Sequence, residues 1–330
     1  MSHFLAGDIG GTKTHLAIVE VDGTQVRVER EATYSSRNYT AFADLLGIFL
    51  AGAEPSRHAA FGIAGPVQGR VVRATNLPWR VDADALQQQF GLAHCGLLND
   101  LEATAHGLPA LGADDLLTLQ AGAPDACGNV AVIAAGTGLG EAGLYWDGQR
   151  HRPYATEGGH ASFSPDDELE MTFFLYLKQQ FGHVSWERVV SGMGLLNLYQ
   201  FLCLHRRAET PQWLGEEMQS GDAAAAIADA ALSGRDEICA ETLHWFVRLY
   251  GAEAGNLALK TMSKGGLYLG GGIAPKILPL LRDGAFLDAF LNKGRMRPLL
   301  EAMPVRVILN DRAALLGAAL CAARLAGDAA

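Results

Sequence analysis

Cysteine is scarce in this chain of 330 residues, and the few present form no pattern. Cys95, Cys127, Cys203, Cys239 and Cys321 are odd in number, scattered, and include no Cys-x-x-Cys spacing. That argues against a disulfide scaffold or a structural zinc site and fits a reducing compartment. No run reaches the ~18 consecutive apolar residues that a membrane-spanning helix needs. A basic block is missing too: Lys and Arg number 26 against 36 Asp and Glu, a formal net charge of −10. Neither a nucleic acid nor an anionic membrane is therefore expected as a partner. No Lys or Arg precedes the first apolar stretch, and Asp8 interrupts it early. The expectation is a cytoplasmic protein without a secretory signal.

Several catalytic signatures are also missing. There is no Gly-x-Ser-x-Gly, no His-Glu-x-x-His, no EF-hand frame and no Walker A frame around Lys13. Neither glycine cluster supplies Gly-x-Gly-x-x-Gly opening a helix, because an apolar strand follows each.

Glycine, by contrast, is abundant. The 39 glycines are about 12% of the chain against a usual ~7%, and they sit in clusters. One device is written twice. Phe4–Gly7 leads into Asp8-Ile9-Gly10-Gly11-Thr12-Lys13-Thr14 and the apolar Leu16–Val19. Val130–Ala135 leads into Gly136-Thr137-Gly138-Leu139-Gly140 and Ala142–Trp146. Each copy ends in Asp-Gly, and Gly11 is separated from Gly136 by the same interval as Asp22 from Asp147. A Gly/Thr-rich hairpin tip bares backbone N–H groups that suit phosphate oxygens. Two such tips, one per half, point to ATP. Asp8, read as lying just past the first strand, could hold Mg2+ through water; a turn aspartate satisfied by backbone amides is the alternative.

Length and alternating strands and helices predict two α/β domains. The expected elements include strands at Gln25–Ala32, His58–Ile63 and Cys95–Leu98, and a helix within Asn38–Ala51. Later helices are expected at Asp166–Phe181, Trp186–His205 and Asp236–Met262, with strands at Leu267–Leu269 and Val305–Leu309. Asn99-Asp100 falls at the carboxyl end of a strand, where open α/β sheets bind ligands. A carboxylate there can take a proton from an alcohol attacking a γ-phosphate; a helix N-cap is an equally good reading. Glu157-Gly158-Gly159-His160 offers an acceptor and a donor–acceptor suited to hydroxyls. Glu187 follows Ser185 in the first turn of a helix, where an acidic residue is also simply stabilising.

Taken together, these segments resemble bacterial glucokinases of the hexokinase/actin-like ATPase superfamily. The resemblance rests on Gly7–Thr12, Leu97–Asp100, Ala135–Gly140, Glu157–His160, Gly182–Val189 and Gly270–Ile273. It implies the ribonuclease H-like fold with an active-site cleft between a small domain (1–110 plus 310–330) and a large one (111–309). It implies Asp100 as the base on the glucose 6-hydroxyl, with Asn99, Glu157, His160 and Glu187 also binding the sugar. Asp8, Gly10, Gly11, Thr12, Lys13, Gly136, Thr137, Gly138, Gly270, Gly271 and Gly272 would bind ATP and its Mg2+. A homodimer is the family expectation. Lys13 stands where many glucokinases have Asn, and Met193 where Pro is common in what reads as a loop. The cysteine-rich zinc motif of the ROK sugar kinases is missing after His160, which favours the zinc-free group. A kinase for mannose or fructose, a sugar-responsive repressor and a non-kinase actin-like ATPase are the rival readings. The repressor would need a DNA-binding helix-turn-helix ahead of the first strand, for which the sequence leaves no room.

Overall fold

The computed structural model describes residues 3–53 and 56–327. The chain divides into two compact units. One comprises the residues up to Asp115, Pro153–Ala155 and the residues from Asn310 on; the other comprises Leu116–Arg152 and Thr156–Leu309.

The first unit is built on a five-stranded sheet. Its spatial order is Gln25–Ser35, Lys13–Asp22, His3–Ile9, His58–Ile63, His94–Asn99. Lys13–Asp22 runs antiparallel to both of its neighbours, Gln25–Ser35 and His3–Ile9, and the last two strands run parallel to His3–Ile9. Alternation along the strands splits the core over two faces. Leu5, Ile9, Leu16 and Phe61 pack with Phe42, Leu45 and Phe49 of the helix Phe42–Leu50. Phe4, Ala6, Ala17 and Ala60 pack with Leu315, Ala318 and Ala322 of the helix Ala313–Gly327.

The second unit repeats that order. Its sheet runs His151–Ala155, Leu139–Trp146, Val130–Ala135, Gly266–Gly270, Val305–Ile308, with Leu116–Gln120 as an added edge strand. Again a tight antiparallel hairpin is followed by parallel strands. The duplication seen in the glycine turns therefore extends to the whole sheet. The helix Glu237–Thr261 crosses its core, and the buried Tyr250 hydroxyl donates to Ile133 O at 3.2 Å.

Four local expectations are corrected. Asp8 lies within the first strand, paired with His15 and Gly62, because the ladder continues to Ile9 and the turn begins at Gly10. The span Trp186–His205 is broken into a 3-10 turn, Trp186–Arg188, and a helix, Gly192–Arg206. Ser191 makes the break by capping the N–H of Gly194 at 3.0 Å. Met193 therefore sits in the first turn of a helix, not in a loop. The two glycine tips also differ in length. Ile9↔Thr14 closes the first hairpin around four residues, and Ala135↔Leu139 closes the second around three.

Candidate functional site

In the first unit, Asp8 and the Gly10–Lys13 tip at the carboxyl end of His3–Ile9 lie at the same edge of the sheet as Asn99 and Asp100 at the carboxyl end of the parallel strand His94–Asn99, with His58–Ile63 between. The Gly10 N–H donates to Lys13 O at 2.9 Å, closing the tip, and Thr12 and Lys13 are solvent-exposed. Asn99 is the N-cap of the helix Asp100–Gly107, its Oδ1 accepting from Glu102 N at 2.6 Å. Asp100 Oδ1 accepts from Leu101 N at 3.0 Å. The capping role thus falls on Asn99.

Asp8 has its carboxyl pushed up to about 7, first by desolvation and then by the nearby charges of Asp100 and Asp311. Sequence reasoning missed Asp311; the signal available was its place after the last strand, as Asp100 follows the strand His94–Asn99. Among the described residues the only trio with ligand atoms within 4.8 Å of one another is His3, Glu20 and Glu29. The Asp8 group is thus too spread for a direct three-ligand cage. Its surplus of negative charge fits a hydrated Mg2+, which keeps several waters.

In the second unit the Gly136 N–H donates to Gly138 O at 2.9 Å, and Thr137 is exposed. The N–H of Gly192, the first residue of its helix, donates to Gly136 O at 2.8 Å. This sets a helix N-terminus, favourable to anions, against the tip. Gly270–Gly272 lies beside the same strand. Gly271 has φ +81°, and a Cβ there would stand 2.3 Å from Ala135 O, so only glycine fits.

The same unit brings Glu157, His160 and Glu187 together. His160 Nε2 is 4.0 Å from Glu157 Oε2, and His160 Nδ1 is 3.9 Å from Glu187 Oε1. Those separations exceed hydrogen-bond length and leave donors and acceptors open to a ligand. Glu157 and His160 are exposed and joined through a 3-10 turn. The turn is tied to the Glu187 segment by Trp186 N–H to Ala161 O at 3.0 Å and Phe163 N–H to Val184 O at 2.9 Å. Glu187 itself reaches the glycine tip, accepting from Leu139 N at 3.0 Å.

A separate cavity of about 730 Å3, lined by Glu170, Arg248, Asn256 and Lys293 among others, contains none of the catalytic, sugar-binding or phosphate-binding residues expected from sequence, although Trp186 of the Gly182–Val189 segment lines it.

Comparison with known proteins places the whole chain. The glucokinase family model matches residues 5–325. A curated glucokinase of Nostoc punctiforme is 45% identical over 98% of this chain and 100% of its own. One of Chromobacterium violaceum is 39% identical over 96% of this chain and 88% of its own. The crystal structure of a glucokinase from an Antarctic psychrotroph superposes with a TM-score of 0.87 at 30% identity, covering 98% of this chain and 99% of its own. A ROK-family glucokinase from Streptomyces griseus, solved with glucose and AMPPNP, shares the fold with a TM-score of 0.68 at 24% identity; 98% of this chain and 100% of that one are covered.

Proposed function

The chain belongs to the glucokinase family, and on that premise we propose that it transfers the γ-phosphoryl group of ATP to the 6-hydroxyl of glucose, with Asp100 as general base. The observation that carries the assignment is the division of roles at the strand end. Asn99 caps the helix, so the Asp100 carboxylate is not required for it. It can then accept the hydroxyl proton as the oxygen attacks phosphorus.

Asn99 keeps its amide N–H groups for the sugar, while Glu157, His160 and Glu187 take the remaining hydroxyls. An alternation of acceptors and a donor–acceptor imidazole matches a polyol better than it matches a single anion. Gly10, Gly11, Thr12, Lys13, Gly136, Thr137 and Gly138 bind the phosphates of ATP. Gly270, Gly271 and Gly272 receive the adenosine. Asp8 would hold Mg2+ through water, and the ion would supply charge neutralisation at the transferring phosphates. We propose a cytoplasmic homodimer as the working form.

A coupled assay of ADP release with ATP across a hexose panel tests this reading. Glucose should give the highest kcat/KM. Strong turnover of mannose or fructose beside negligible turnover of glucose would transfer the assignment to another hexose kinase.

A further inference from the structure

Glu141 is out of place by composition. It lies in the strand Leu139–Trp146 directly after the second glycine tip, among buried apolar neighbours, and is itself 2% exposed. Its Oε1 is buried without a hydrogen-bond donor. Its other oxygen bears on the polar loop: a Cβ at Gly158 would stand 1.9 Å from Glu141 Oε2. The same loop is tied to this residue's backbone, since Thr156 Oγ1 donates to Glu141 O at 2.9 Å and accepts from Gly158 N at 3.2 Å. Beside Glu141 lies Glu253, fully buried on the helix Glu237–Thr261. Glu253 has donors of its own, Asn256 Nδ2 at 2.8 Å and Lys260 Nζ at 3.4 Å.

As a carboxylate, Glu141 would face another carboxylate with an orphaned oxygen. As an acid it has an acceptor at hand. We propose that Glu141 is a positioning residue for the Glu157–His160 loop, acting as a neutral acid that donates to the Glu253 carboxylate while its carboxyl supports Gly158. This rests on the reading of Glu157 and His160 as sugar ligands.

Burial and the Glu253 charge push the Glu141 carboxyl up to about 8, while Lys260 pulls it down. The other titratable groups facing the pair are Tyr250 and Lys293. Burial raises the Tyr250 phenol far above the assay range. Lys293 faces Glu253, and burial lowers its ammonium from the usual value. Below pH 8 the acid form holds the loop; above it, ionisation sets two buried carboxylates against each other.

The test is steady-state kinetics of the full-length enzyme from pH 7 to pH 9 for wild type, Glu141→Gln, Glu141→Ala and Glu157→Gln. For one ionisation near pH 8, wild-type glucose KM should rise about tenfold across that range. Glu141→Gln, whose amide still donates to Glu253, should start near the wild-type KM and stay within about twofold. Glu141→Ala should raise glucose KM about tenfold at every pH with ATP KM within about twofold. A wild-type-like alkaline rise in Glu141→Gln overturns the proposal, as does an unchanged glucose KM in Glu141→Ala. If the alanine variant fails to fold, the glutamine profile decides alone. Should Glu157→Gln leave glucose KM unchanged, the sugar-ligand reading fails instead.

Discussion

The Glu187 carboxylate accepts the backbone N–H of Leu139 at 3.0 Å, binding the polar cluster to the glycine tip that precedes it by about fifty residues in sequence. One oxygen holds the turn and the other faces His160 at 3.9 Å. Glu187→Gln keeps an acceptor for Leu139 and loses the charge. It should raise glucose KM roughly five- to tenfold, with ATP KM within about twofold. Glu187→Ala strands a buried donor and should also destabilise the protein by about 1–3 kcal/mol in urea unfolding.

Two glycines of this region should differ sharply under substitution. At Gly159 a Cβ would meet Leu139 backbone O at 2.0 Å, and backbone cannot step aside. Gly159→Ala should therefore cost about 2 kcal/mol or more of stability. At Gly138 the clash is with the end of the Glu187 side chain, at 2.4 Å. Gly138→Ala should displace that carboxylate, raising both KM values several-fold while the unfolding midpoint moves little. Equal loss of stability in the two variants would contradict this distinction.

Asp8 should leave a signature in the pH dependence of stability. Its folded carboxyl is raised from 3.8 to about 7, so the folded state binds more protons than the unfolded one between those values. Stability from this group is fully present below about pH 4 and is lost as pH rises through 7. Without Mg2+, Asp8→Asn should be more stable than wild type at pH 7.5, by about 1 kcal/mol or more, and lose less between pH 5 and pH 7.5. Added Mg2+ should stabilise wild type and leave the variant unmoved. Thermal melts at the two pH values check both statements.

Much of the fold was legible because its signals are local. Apolar runs on either side of a glycine cluster, closed by Asp-Gly turns, mark the hairpins. The duplication of the sheet beyond the hairpins was not legible, since strand order is a long-range property. The unequal tips were hidden because intervals taken at Gly11 and Asp22 skip the residue that differs. The break at Ser191 was missed because apolar residues continue on both sides of it. Glu141 escaped notice because a strand glutamate reads as the polar half of an alternation; only its burial against Gly158 and Glu253 marks it. Asn99 was even between cap and ligand by spacing, and the structure shows its oxygen capping while its amide remains.

The central claim is that the Asp100 carboxylate takes the proton of the sugar hydroxyl. Asp100→Asn, measured for turnover by the coupled assay and for glucose binding by calorimetry, tests it most directly. Turnover should fall by about three orders of magnitude while the glucose Kd stays within about tenfold. Near-wild-type turnover with intact glucose binding would contradict the assignment.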